Sequence, residues 1–522
     1  MNVLTGERMR MVDEETIKRY CPGIELMERA GRQVAEFILE NYALRGFKAA
    51  IFVGPGNNGG DALVAARLLS EEGLACSLHY LAPSDKFTVD AAKNYQRVQD
   101  RLASFTNLKE INSTRPDWVS IIRKDFVTAT VIVDGLFGTG LSRDLEGRAA
   151  EIVNQINLSG LPVVSIDIPS GIHSDTGEVL GIAVQAAQTI TMGYPKVGLL
   201  FHPGKGHVGD LEVADLEFPA EVLEVNSLGI YLLDRAEAGR RLPPRAPDAH
   251  KFDMGVVLVV AGSRAYTGAA LLTAEAALRS GCGIVYVAVP ESIRAVIQTG
   301  MHEAIVVPVP ETQDGSIAMG AIDVIQPYMD KADAIVAGPG LGRSQETLEF
   351  IRTLVAASPT TVVLDADAIN AFANNIDGLA TLEIPAIITP HSGELGGLID
   401  RSLPTDPMER IDLTRETAKN AKITLVHKGA PTLVASTAGE IWVNQHGHSA
   451  LATAGTGDVL AGLVGGIRAQ GASDLDSAAI SCFLHGRAAE LASEEWSVRG
   501  VLAGDLLMYI GGALLELEAL AK

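Results

Sequence analysis

Two stretches hold the residues best able to do chemistry. One is Thr453-Ala-Gly-Thr-Gly-Asp-Val-Leu460, ahead of an apolar, glycine-containing helical pattern. Amides from Gly455, Thr456, Gly457 and Asp458 at a helix N-terminus make a hole for an anion such as a phosphoryl group. Asp458 then stands where it could take a proton from a hydroxyl attacking phosphorus. A plain helix cap is the competing use of a Gly-Asp pair.

The other is Gly54-Pro-Gly-Asn-Asn-Gly-Gly-Asp61, between a strand-like and a helix-like run. Peptide N–H groups at Gly54, Gly56 and Gly59 can approach phosphate because no Cβ blocks them. The Asn57-Asn58 pair departs from an ordinary dinucleotide fingerprint. No acidic residue ends the next strand, Ala75–Leu81, where a ribose-binding carboxylate would sit, so a plain dehydrogenase is disfavoured. Two further loops, Val133-Asp-Gly-Leu-Phe-Gly-Thr-Gly140 and Ser165-Ile-Asp-Ile-Pro-Ser-Gly171, also follow strands. Asn58, Asp134 and Ser170 offer hard oxygens that suit a cation. Capping or turn formation is the alternative for Asp134 and Asp167.

Such loops need a sheet to hold them. Ala49–Val53, Ala75–Leu81, Thr128–Val133 and Pro162–Ile166 read as buried strands, with helical patterns between them. Asp61–Ser70 reads as a helix after a Gly54–Gly60 loop. Met27, Ala30, Val34, Phe37 and Ile38 give an earlier amphipathic helix. Phe218–Lys251 holds Pro219, Pro243-Pro244 and Pro247 with a charged stretch Asp234–Arg241, and reads as a linker with room for one helix. Alternation restarts with Gly255–Val260, Ile284–Val289, Ala334–Ala337, Thr361–Leu364, Ala386–Ile388 and Ile423–Val426. A hairpin follows at Thr432–Ala435 and Glu440–Val443, and helices begin near Gly457, Asp474 and Ala503. Strands alternating with helices mean parallel sheets covered on both faces.

The chain has 522 residues, room for two large α/β domains. Its net charge of −22, with no Lys/Arg cluster, excludes an ordinary nucleic-acid binder. No apolar run reaches the roughly 18 residues of a membrane span, and Met1–Tyr20 lacks the apolar core of a secretory signal. Cys21, Cys76, Cys282 and Cys482 form no C-x-x-C pair and read as reduced thiols in a cytoplasmic protein. His202/His207 and His446/His448 lack the partners of a zinc site.

Asn57-Asn-Gly-Gly-Asp61, the Asp134 and Asp167 loops and Leu26-Met-Glu-Arg-Ala-Gly31 closely resemble the epimerase domain of the NAD(P)H-hydrate repair enzymes. The resemblance implies that Asn57, Asn58, Gly59, Gly60 and Asp61 hold a hydrated dinucleotide with Gly138, Thr139, Gly140, Leu141, Ser142, Arg143 and Asp144. It also implies K⁺ near Asn58, Asp134 and Ser170, and it makes Asp167 a substrate contact and the candidate acid/base.

The second half resembles the ribokinase-like NAD(P)H-hydrate dehydratases. The matching elements are His250-Lys251, Gly338-Pro-Gly-Leu-Gly342, Asp365-Ala-Asp-Ala-Ile-Asn370, Thr389-Pro-His391 with Glu394, Lys428-Gly429 and Gly455-Thr-Gly-Asp458. By that resemblance Ala269, Gly340, His391 and Asp458 contact the hydrate, with Asp458 catalytic. Lys428, Gly429, Ala430, Pro431, Thr432, Gly455, Thr456 and Gly457 hold ADP or ATP, which brings Mg²⁺. Ser392 stands where the family usually has proline, and Thr456 where serine is common.

The implied fold is a Rossmann-like three-layer domain over 1–220, a linker over 221–250 and a ribokinase-like three-layer α/β domain over 251–522. The implied partners are hydrated NADH or NADPH and ADP or ATP. Neither nucleic acid nor membrane is expected, and a homo-oligomer is. The implied activity epimerises R and S hydrates and dehydrates the S form at the expense of ADP or ATP. Two rivals are a ribokinase-like vitamin or sugar kinase fused to a nucleotide-binding domain, and a non-catalytic nucleotide-binding protein. The Asn57–Asp61 domain weighs against the first. Intact Asp167 and Asp458 weigh against the second.

Overall fold

The computed structural model describes residues 1–42, 46–102, 108–111 and 117–520. The chain divides into two compact units, one of residues 2–228 with 406–408, the other of residue 1, 229–405 and 409–522.

The first unit is built on seven parallel strands: Lys48–Val53 (β1), Ala75–Tyr80 (β2), Leu108–Ile111 (β3), Val131–Gly135 (β4), Val163–Ile166 (β5), Gln188–Met192 (β6) and Asp210–Ala214 (β7). Their order is β3-β2-β1-β4-β5-β6-β7. Side chains alternate across β1: Ala49, Ile51 and Val53 join one core layer, Ala50 and Phe52 the other. A strand buried on both faces must be apolar throughout, which is why β1 and β4 read as continuous apolar runs. The strand order reverses between β1 and β4, so the loops after them part and open a crevice. The Gly54 amide donates to the Gly135 carbonyl at 3.0 Å across its base.

The second unit holds a ten-stranded sheet: Ile230–Leu233 (β8), Val256–Val260 (β9), Ile284–Pro290 (β10), Ile305–Val309 (β11), Ala334–Ala337 (β12), Val362–Leu364 (β13), Ile387–Ile388 (β14), Thr424–His427 (β15), Leu433–Ala435 (β16) and Ile441–Asn444 (β17). Its order is β11-β10-β9-β12-β13-β14-β15-β16-β17-β8. Pairing is parallel except on either side of β16, the expected hairpin. Here the reversal falls between β9 and β12, and the Gly262 amide donates to the Pro339 carbonyl at 2.7 Å.

Some elements differ from the sequence reading. The helix expected from Asp61 begins at Asn57, so Asn57–Gly60 form its first turn rather than a loop. A helix at Gly6–Arg19, capped by the Thr5 side chain, was not foreseen. The span expected as a linker, 221–250, is largely structured. The helix Ala220–Asn226 closes the first unit and β8 pairs in parallel with β17, while Arg235–Arg241 supplies the one helix for which the linker had room. Among the described residues no helix is long and apolar enough to cross a membrane. All four cysteines are free, three of them buried.

Candidate active sites

In the first unit the loops after β1, β4, β5 and β6 meet at the strands' C-terminal ends. Asp134, at the end of β4, is fully buried. Its Oδ1 accepts from the Ser170 hydroxyl at 2.6 Å and the Leu136 amide at 3.3 Å. Its Oδ2 accepts from the Ser165 hydroxyl and the Ser170 amide, both at 2.9 Å. Burial raises its pKa against those hydrogen bonds. Asp134 thus does close the turn, the alternative weighed for it, and in doing so binds Ser170 to its side. Asn58 completes the group: its Nδ2 donates to the Phe137 carbonyl at 3.0 Å, and its Oδ1 is buried with no hydrogen-bond partner. A buried acceptor without a donor is costly unless something positive sits against it.

Asp167 follows β5 with φ of 65°, a left-handed backbone that Asp tolerates better than most residues. Its Oδ1 accepts from the Lys196 ammonium at 2.5 Å and the Met192 amide at 3.2 Å. Its Oδ2 faces Gly138, where a methyl group would sit 3.3 Å from it and 3.5 Å from the Asn58 side chain. The structure therefore brings Asn58, Gly138 and Asp167 together. Asp61, just past the first helical turn, is buried beside Asp167 and Asp13, and burial holds its pKa well above the usual carboxylate range. Thr139–Asp144 continue the loop after Gly138, with Leu141 donating its amide to the Gly138 carbonyl at 3.3 Å.

In the second unit the helix expected to head the anion hole runs Thr456–Ala469, with Gly455 as its N-cap at φ of 90°. Only glycine takes that conformation without strain. Asp458 is the third residue of the helix and Gly455 holds the N-cap position, so Asp458 is not the cap that the alternative reading supposed. Burial first, then Asp365 and Asp367 against the opposing Lys428, pushes its pKa up to about 7. The Lys428 ammonium lies 2.9 Å from Asp365 Oδ1 and 3.9 Å from Glu394. Burial would lower its pKa, but those carboxylates raise it. A methyl group at Gly457 would stand 3.4 Å from Lys428 Nζ and 3.8 Å from Asp365 Oδ2. The Thr456 hydroxyl donates back to the Leu451 and Thr453 carbonyls, tightening the turn.

His391 caps the helix Ser392–Ile399. Its Nδ1 accepts from the Gly393 and Glu394 amides, so a neutral ring carries its proton on Nε2. His391 and Lys428 are bridged backbone to backbone, the Lys428 amide donating to Pro390 at 2.9 Å. Gly340 lies against Ala269, whose Cβ would be 2.9 Å from a methyl there. Thr432 folds its hydroxyl onto the Gly429 carbonyl at 3.1 Å, with a cis bond between Ala430 and Pro431. Among the described residues no three His, Cys, Asp or Glu gather to hold a metal, the His202/His207 and His446/His448 pairs included.

Lys196 and Asp13 of the first site belong to no sequence motif, and Asp365 and Glu394 stand in their motifs with no role implied for them. Lys196 follows β6, a mixed Gln-Thr-Ile-Thr-Met strand with no continuous apolar run to reveal it. Asp13 sits on the unforeseen first helix.

The family described as NAD(P)H-hydrate dehydratase matches residues 257–511, and that of the YjeF-related protein N-terminus matches residues 23–198. A Thermofilum pendens protein described as a bifunctional NAD(P)H-hydrate repair enzyme is 36% identical, over 99% of this chain and 97% of its own. One from Salinibacter ruber with the same description is 37% identical, over 97% of this chain and 94% of its own. A solved Bacillus subtilis ADP/ATP-dependent NAD(P)H-hydrate dehydratase, co-crystallised with ATP and Mg²⁺, is 28% identical. It covers 56% of this chain and 100% of its own, with a TM-score of 0.48. Matched in both halves, and at this identity over nearly its whole length, the chain belongs to the family of bifunctional NAD(P)H-hydrate repair enzymes.

Proposed function

We propose that the first unit interconverts the R and S forms of hydrated NADH and NADPH, and that the second dehydrates the S form using ADP or ATP. Hydroxide is a poor leaving group, so the second reaction begins with phosphoryl transfer. Asp458 takes the proton of the ring hydroxyl as its oxygen attacks the terminal phosphorus of the nucleotide. The Gly455–Asp458 amides and Lys428 balance the charge on the transferred group. Phosphate then leaves with the C–O electron pair. A proton lost from the neighbouring carbon restores the ring double bond. Ala269, Gly340 and His391 hold the hydrate, and Lys428–Thr432 with Gly455–Gly457 hold the nucleotide. Mg²⁺ arrives on the nucleotide's phosphates, with ADP the favoured donor.

In the first unit Asn57–Asp61 and Gly138–Asp144 hold the dinucleotide, and Asp167 is the acid/base. Asn58, Asp134 and Ser170 fit K⁺: their oxygens are hard and weakly charged, and Asn58 Oδ1 is a buried acceptor in want of a positive partner. The bound ion supplies positive charge beside an anionic substrate. The enzyme works in the cytoplasm as a homo-oligomer, which fractionation and light scattering would check.

The carrying observation is Asp458 beneath an N-terminal amide hole, with its carboxyl raised to about 7 and flanked by Lys428 and Asp365. The test is recovery of NAD(P)H absorbance from S-hydrate with ADP or ATP. No recovery with either nucleotide overturns the reading. Asp458→Asn is expected to abolish recovery while R-to-S interconversion, followed chromatographically, continues.

A further inference from the structure

Lys196 carries a charge with no access to water: its side chain is 0% exposed. An isolated buried ammonium is expensive, and an apolar side chain of similar volume would fill the same space at less cost. Each of its three hydrogens is nevertheless placed. They go to Asp167 Oδ1 at 2.5 Å, the Thr191 hydroxyl at 3.1 Å and the Met192 carbonyl at 2.8 Å. The Thr191 hydroxyl and the Met192 amide turn to the same Oδ1, at 3.4 and 3.2 Å. Oδ1 is thus saturated, while among the described residues no hydrogen bond reaches Oδ2, the oxygen facing Gly138. The backbone holds the arrangement from both ends. The Asp167 amide donates to Ile190 at 2.7 Å, and Leu4 brackets Lys196 through Pro195 and Val197 at 3.0 and 3.1 Å.

We propose that Lys196 is a positioning residue for epimerisation: its ammonium pins Asp167 Oδ1 and leaves Oδ2 as the atom that exchanges a proton with the hydrate. This rests on the reading of Asp167 as the acid/base. Inverting the carbon that bears the hydroxyl requires one bond there to break and re-form on the other face. The ionised carboxylate takes the hydroxyl's proton on Oδ2, and the ring C–N bond at that carbon breaks with its pair going to the nitrogen, leaving an aldehyde. After rotation the nitrogen adds back to the aldehyde's other face, and the oxygen recovers its proton from Oδ2. No electron or atom is gained or lost overall. The charged groups around this oxygen are Lys196, Asp13 from the Gly6–Arg19 helix and Asp61 from the Asn57–Glu71 helix. Burial, with Asp167 close by, raises the carboxyl of Asp13 to about 7 and holds that of Asp61 well above the usual carboxylate range. Lys196 puts one ammonium among three carboxyl groups, and a positive charge favours the ionised form of a carboxyl beside it.

The test is the pH profile of epimerisation in the full chain, over the enzyme-free rate, for wild type, Lys196→Met, Lys196→Arg and Asp167→Asn. Lys196→Met is expected to move the acid limb up by about one pH unit or more, about tenfold in rate on that limb. KM for the hydrate should change little. Lys196→Arg should keep the limb near its wild-type position. An unmoved limb in Lys196→Met, or equal loss at every pH in both lysine variants, overturns the proposal. Epimerisation surviving in Asp167→Asn overturns instead the reading beneath it. Should Lys196→Met fail to fold, Thr191→Val removes a hydroxyl that bonds both partners. It is expected to move the limb the same way by less, and no movement there also overturns the proposal.

Discussion

At the scale of single residues, the second site is set by charges crowded around Asp458. Its carboxyl is raised to about 7 by burial and by Asp365 and Asp367, with Lys428 opposing. A protonated Asp458 cannot accept the hydroxyl's proton, so dehydration is expected to rise with pH through about 7 and level off above it. Asp365→Asn removes a like charge and frees Lys428 to face Asp458. Both changes favour ionisation, so the acid limb of the kcat profile should move to lower pH. A limb that stays in place would mean another group controls it. Asp458 was legible in the sequence because its amide hole is local, four consecutive residues at a helix start. Its neighbours were not, because Lys428 meets Asp365 only through strands β13, β14 and β15 lying side by side. The same holds for Lys196 and Asp167, which β5 and β6 bring together.

At the scale of elements, the anion-hole helix must approach the helix Thr267–Arg279 closely. A methyl group at Gly462 would lie 2.1 Å from the Thr273 carbonyl oxygen. Gly462→Ala is expected to push the two helices apart, at about 1–3 kcal/mol. A lowered melting midpoint and weaker dehydration, with epimerisation intact, would check this. Continuous apolar runs revealed β1, β9 and β12, because a strand covered on both faces has no polar residues to confuse its pattern. Edge strands hid for the opposite reason. Strand β7 exposes Asp210 and Glu212, and β11 carries Pro308, which an edge tolerates. Strand β8 lay among prolines and charges that read as a connector.

At the scale of the whole molecule, the division near residue 228 makes a prediction about cutting the chain. A fragment of residues 229–522 keeps β8 against β17. A fragment of 251–522, cut where the sequence placed the second domain's start, exposes β17 as a bare edge with Ile441, Trp442 and Val443 uncovered. The longer fragment is expected to stay monodisperse and retain dehydration. The shorter should melt lower and aggregate, as size-exclusion chromatography and thermal melts would record. Equal behaviour would mean that β8 contributes nothing to the sheet. The same pairing sets a timetable for synthesis. Ile230 is made about 210 residues before its partner Ile441, roughly 10–40 s at ordinary elongation rates. Through that interval Ile-Tyr-Leu-Leu is a finished apolar strand whose partner strand has yet to be made. Ribosome-bound chains ending before residue 441 should therefore be the ones most dependent on chaperones.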